Sequence, residues 1–166
     1  MTNANLETPT ENQPQDSESL QAYIDEEIAE TSHQEVIETV ISSLEQNESA
    51  MVSHTERGPL WRFQYGSVEV FVQLSGEKDE DLLTVWANVL KLPASDEPGL
   101  MRKILEMNWS ETFETRFALI NDQVVVLYQR TVADLSPGEI SRAITLVATI
   151  ADDHDEALKE EFGGNA

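Results

Sequence analysis

Five consecutive residues near the C-terminus, Asp152, Asp153, His154, Asp155 and Glu156, are of the types that ligate metal ions or move protons. The chemistry on offer would be oxygen ligation of a hard divalent cation, or general acid–base work by a carboxylate pair. The cluster falls on the distal half of a helical pattern whose apolar stripe continues through Ile150, Ala151, Ala157 and Leu158. Asp152, Asp155 and Glu156 are therefore expected on one outward face, at i, i+3 and i+4. Calcium takes about six to eight oxygens, several of them backbone carbonyls that a regular helix keeps in its own hydrogen bonds. The cluster reads as a solvated helix face, with adventitious cation binding as the alternative. Acid–base pairs need burial to push one pKa upward, and the other acids lie in tails, turns and helix exteriors.

The rest of the chemical inventory is sparse. His33, His54 and His154 include no pair at the i, i+4 spacing of helical zinc ligands, so each is assigned a surface or structural role. The 7 glycines contain no i, i+2 pair of the kind that opens a dinucleotide fingerprint, and no Walker loop or G-x-S-x-G elbow occurs. There is no cysteine, hence no thiolate nucleophile, disulfide or Cys-based metal centre. The expectation is a protein that is not an enzyme, with no cofactor and no metal.

Composition narrows the partners. A chain of 166 residues suits one domain, and 32 Asp and Glu against 10 Lys and Arg leave a net charge of -22. That charge repels phosphate backbones and anionic lipid, which argues against nucleic acid and membrane and favours basic partners. The N-terminus lacks a signal-peptide pattern, and "VVVLY" at 124–128 is far too short to span a bilayer. A soluble, cytoplasmic protein is expected. Residues 1–50 hold 12 carboxylates and no Lys or Arg, and residues 1–31 are expected to form a disordered acidic tail ahead of a domain over 32–164.

The elements that position these groups follow from periodicity. Ser32 and Glu35 stand at capping-box spacing, and Val36, Ile37, Val40, Ile41 and Leu44 make a helical stripe over about 33–47. "LWRFQYG" and "SVEVFVQL" alternate with period two around a Gly66-Ser67 turn, and "LLTVWANVLKL" is a third strand. Whether "AMVSHT" adds a further short strand stays open. "PASDEPGLMRKILEMNWS" switches to a helix capped by Ser95 or Asp96 and ending near Asn108. "TRFALINDQVVVLYQRT" is a hairpin turning at Asn121-Asp122, residues that tolerate positive φ. A final helix opens on the capping box Ser136-Pro137-Gly138-Glu139 and runs to Gly163-Gly164. The fold class is α+β in the order α-β-β-β-α-β-β-α, an antiparallel twisted sheet with helices packed on one side.

A sheet covered on one side should be polar on the other, yet Phe71, Trp86 and Leu90 fall in the outer register among Glu69, Gln73, Thr84 and Asn88. Rigid aromatics among polar groups suit a surface that binds a partner protein. Trp61 and Trp109, near element ends, read as core packing.

With this element order, "LLTVWANVLKLP", "FALINDQVVVLYQ" and "LSPGEISRAITLVATIADDHDEALKEEFGG" together resemble the YbjN family, in particular its cyanobacterial members, over residues 33–164. The resemblance implies a fold like that of type III secretion chaperones, commonly homodimeric proteins that hold extended partner chains. Members are also labelled sensory-transduction regulators, and no catalytic residues carry over. By the same analogy the dimer seam falls on the helix at 98–108, through Leu100, Met101 and Ile104. The expected function is a non-enzymatic, chaperone-like module that holds an apolar or extended segment of a protein client, as in complex assembly. The alternative is a regulatory adaptor in a signalling or photosynthetic assembly that acts through the acidic tail.

Overall fold

The computed structural model describes residues 32–164, and the acidic tail expected over 1–31 lies outside them. Helix α1 (His33–Leu44) leads into four strands, β1 (Met51–Thr55), β2 (Gly58–Tyr65), β3 (Val68–Leu74) and β4 (Leu82–Lys91). Helix α2 (Glu97–Ser110), the hairpin β5 (Arg116–Ile120) and β6 (Gln123–Thr131), and the long helix α3 (Pro137–Phe162) follow within the described residues. The sheet order is β1-β2-β3-β4-β6-β5 with every neighbouring pair antiparallel. The α+β class holds, and β1 adds a strand to the expected order. All five residues of β1 are exposed, so no alternation of burial marks it in the sequence.

One face of the sheet carries the core. Val68, Val70, Val72 and Leu74 of β3 and Leu83, Val85, Ala87 and Val89 of β4 are buried in one cluster with Ile140, Ile144, Val147, Ala148 and Ala151 of α3. The period of two on the strands and the i, i+3, i+4 stripe on α3 meet there, and this burial supplies most of the stability. Helix α1 adds Ile37, Val40 and Ile41 to the same cluster, and Trp61 joins it, as expected, with its indole Nε1 donating to Glu38 Oε1 at 3.3 Å.

Turns and caps follow local chemistry. Asn121 and Asp122 adopt φ of 47° and 61° at the β5–β6 turn, and Gly66 adopts 52°. Asp96, rather than Ser95, caps α2 by accepting from the Gly99 amide at 3.0 Å. Ser136 and Glu139 form the full capping box of α3. Hydrogen bonding from the Ser136 backbone, then from its hydroxyl, with Arg130 alongside, holds the Glu139 carboxyl below its ordinary pKa. The Arg142 guanidinium does the same for Glu114. Both pairs therefore favour the fold above the ordinary carboxylate pKa and lose that effect as pH falls through the lowered values.

Helix α2 guards one edge of the sheet. The Asn108 side chain accepts from the Phe117 amide at 2.6 Å and donates to its carbonyl at 3.3 Å, so it occupies hydrogen-bonding groups that an incoming strand would need. No helix among the described residues is long and apolar enough to cross a membrane.

Candidate protein-binding surface

The register builds a transverse row on the sheet face opposite α3. Met51 pairs with Arg62, Arg62 with Phe71, Phe71 with Trp86, Trp86 with Leu127, and Leu127 with Arg116. Cross-strand partners point to the same face, so six strands contribute one side chain each to a continuous line. At its centre the Phe71 and Trp86 rings stack with centroids 5.1 Å apart and planes 8° apart. Both are only half-buried, as is Leu127. A stacked pair is rigid before any partner arrives, which lowers the entropic cost of using it as a contact.

Beside the stack lies an open concavity of about 530 Å³, lined by both rings and by Arg57, Gln73, Thr84, Asn88 and Gln129, among others. Its polar groups are amides, a hydroxyl and a guanidinium, which can satisfy the backbone of an extended segment while the rings take its apolar side chains. Gln129 Nε2 donates to Thr84 Oγ1 at 3.1 Å, and Gln73 Nε2 to Thr55 Oγ1 at 3.2 Å, so part of this wall is fixed in advance.

Leu90 departs from the expected placement. It is 3 % exposed and belongs to the core. The β4–β6 register shifts between Asn88 and Leu90, so Asn88 pairs with Val125 but Leu90 with the buried Val124. Val89 is the extra residue of a β-bulge, and that one residue turns Leu90 from the outer face to the inner.

The α2 residues expected at a dimer seam pack inward. Leu100 and Ile104 are buried in their own chain and Met101 is partly buried against the same core. The outward face of α2 and the loop after it carries Leu105, Trp109 and Phe113, at 68 %, 93 % and 77 % exposure. Trp109 is thus a surface residue and not core packing. Pro98, Arg102, Leu105, Glu106 and Trp109 line an open groove of about 690 Å³ along this face. The spacing 98, 102, 105, 109 was visible in the sequence, but the stripe formed by Leu100, Ile104 and Met107 took the inward side.

The acidic cluster does something other than face solvent. Asp155 has 0 % exposure and is the buried charge of α3. Its Oδ1 accepts from Ser67 Oγ at 2.7 Å and its Oδ2 pairs with Lys159 Nζ at 2.5 Å. Asp152 Oδ1 accepts from the Ser67 amide at 2.7 Å and from its hydroxyl at 2.9 Å. Two carboxylates therefore clamp the β2–β3 turn onto α3. A Cβ on Gly66 would come within 2.0 Å of Asp152 Oδ1, which with the positive φ explains glycine at that position. Asp153 and Glu156 remain exposed, and so does Ala157, whose expected place in the stripe Asp155 takes. His154 lies 3.6 Å from Glu111 and edge-on to Phe117, His33 bonds Glu77 and the Leu135 carbonyl, and His54 is exposed on β1. Among the described residues no group of three or more His, Cys, Asp or Glu is arranged to hold a metal ion.

A one-sided antiparallel sheet and a long C-terminal helix are the features that bear on family. The YbjN profile, described as "Putative bacterial sensory transduction regulator", matches residues 33–160. The chain belongs to the YbjN family. The YbjN domain also resembles a chain of the crystal structure of the ExsC–ExsE complex, with a TM-score of 0.50 and 20 % identity over 64 % of this chain and 80 % of that one. At that identity the likeness is one of fold alone, in the α+β class expected from the sequence. No curated protein matches.

Proposed function

We propose that this YbjN-family chain is a non-enzymatic, chaperone-like module of the cytoplasm that holds an apolar or extended segment of a partner protein, as an assembly factor does. Residues 32–164 are the binding module, and residues 1–31 are an acidic tail appended to it. The observation that carries this reading is the Phe71–Trp86 stack, half-buried on the sheet face opposite α3 and set beside an amide-lined concavity. The fold shared with a chain of the ExsC–ExsE complex, a protein bound to a protein partner, supports the same class of role. Affinity comes from apolar area buried on the stack, with the amides fixing the backbone of the segment. The test is affinity capture from cell extract with the wild type and with Trp86→Asp, alongside far-UV circular dichroism of both. Loss of the captured partner with an unchanged spectrum is expected.

The family description as a sensory-transduction regulator favours a second reading, an adaptor acting through its acidic tail. Deleting residues 1–30 separates the two. A sheet-face chaperone keeps its partner, whereas a tail-dependent adaptor loses it.

The proposal includes a homodimer, with the contact moved from Leu100, Met101 and Ile104 to the exposed line Leu105, Trp109 and Phe113. Burying a tryptophan of that exposure in a two-fold contact makes it a hot spot, so Trp109→Glu should weaken self-association by about 30-fold or more. Light scattering across a dilution series reads this directly, and an unchanged subunit count in the variant would remove α2 as the seam.

A further inference from the structure

The chain carries a net charge of -22, and the simplest electrostatic expectation is a basic partner. The outer sheet face points the other way. Arg62, Arg102, Lys103, Arg130, Arg142 and Lys159 are each within ion-pair reach of a carboxylate. Of the other four Lys and Arg, Arg57, Lys78, Lys91 and Arg116, none enters an ion pair among the described residues, and the two arginines belong to the outer face. Arg57 lines the concavity beside Phe71 and Trp86. Arg116 is exposed at the end of the transverse row, next to Leu127. The lining of that concavity contains no carboxylate at all. Other clefts among the described residues carry glutamates, Glu106 in the groove on α2, Glu38 between α1 and β1, and Glu114 with Glu139 beside Tyr128.

We infer that the segment held on this face is acidic at its flanks, an extended stretch of apolar residues bounded by carboxylates that pair with Arg57 and Arg116. This rests on the outer-face reading proposed above and names the chemistry of the partner. Arg57, in the turn between β1 and β2, and Arg116, on β5, lie on opposite sides of the β3–β4 stack, and the row between Arg62 on β2 and Arg116 spans four interstrand steps, about 19 Å at the usual strand separation, or about six residues of extended chain. Arg62 pairs with Glu69 at 3.3 Å across a half-exposed contact, a kind of pair weak enough to exchange partners. Guanidinium binds carboxylate through two parallel hydrogen bonds, so these arginines fix direction as well as sign. The distant acids do not cancel this, because their field is screened over about 8 Å at physiological ionic strength, whereas the guanidiniums act in contact.

Two synthetic octapeptides test it by calorimetry on the full chain, Asp-Asp-Leu-Phe-Val-Leu-Asp-Asp and its counterpart with Lys in place of every Asp. The acidic peptide should bind about tenfold tighter or more at low salt, and the R57Q/R116Q double variant should lose that preference through weaker binding of the acidic peptide. Trp86→Asp should lose both peptides. If the lysine peptide binds as tightly or tighter through Trp86, the overall charge governs recognition and the inference fails while the sheet-face function stands. If neither peptide binds, the sheet-face function fails and the inference with it. A change of subunit count in the R57Q/R116Q variant would assign the arginines to a contact between copies, which also overturns the inference.

Discussion

Trp86→Asp is expected to cost the protein its partner and little else. An aromatic anchor at the centre of an interface commonly contributes 2 kcal/mol or more, and placing a carboxylate in the contact adds a desolvation cost, so a loss of about 3 kcal/mol, over 100-fold in Kd, is reasonable. The fold should survive, because Trp86 is half-buried on the face away from the core. Losing the stack on Phe71 costs about 1 kcal/mol and the poor strand propensity of Asp about as much again, against a typical total stability of about 5 to 15 kcal/mol. Trp86→Thr separates the two contributions, since it keeps a strand-forming residue and adds no charge. It should still lose about 2 kcal/mol of binding and cost the fold only the stack, about 1 kcal/mol. Collapse of the circular dichroism spectrum in either variant would make Trp86 a structural residue.

Asp155→Ala should destabilise the domain by about 3 kcal/mol, because it removes two charge-assisted hydrogen bonds from a fully buried carboxylate and leaves a void under the β2–β3 turn. A drop of about 10 °C in Tm follows for a domain of this size. Asp152→Ala should cost less, about 1 kcal/mol, since the Ser67 amide it releases is exposed and turns to water. Glu156→Ala, exposed on the same helix, should be neutral within about 0.5 kcal/mol. The graded order, measured by thermal denaturation, distinguishes a turn clamp from a metal site. A metal site would lose a stabilisation that depends on added Ca²⁺, Mg²⁺, Mn²⁺ or Zn²⁺ in both aspartate variants, and the clamp predicts no such dependence.

The layout of helices and strands was legible because its signals are local. Alternation of Val68, Val70, Val72 and Leu74 specifies β3, Asn121-Asp122 specifies a turn, and Ser136 with Glu139 specifies a helix start. What escaped depends on contacts distant in sequence. The bulge at Val89 flips Leu90 but leaves the apolar run of β4 unbroken, so periodicity alone carries Leu90 to the wrong face. Residues 100 and 104 and residues 105 and 109 make two competing stripes on α2, and only the docking of that helix at β5 decides which is inward. Asp155 sits four residues after Ala151 and three before Leu158, in the core stripe. That spacing was readable, but the partner that permits a buried charge, Ser67, lies 88 residues away. The two stacked rings were legible individually, and their pairing required the β3–β4 register. The arginines that bracket them come from β2, β5 and the β1–β2 turn, and no sequence window contains all three.

The central claim is that the sheet face opposite α3 meets another chain. The most direct measurement is site-specific photo-crosslinking in cell extract, with benzoylphenylalanine placed at Gln129 on that face or at Glu156 on the exposed side of α3. Adducts to a partner protein from position 129 and none from position 156 are the predicted result. Adducts from position 156 alone would place the partner on the helix layer and contradict the account.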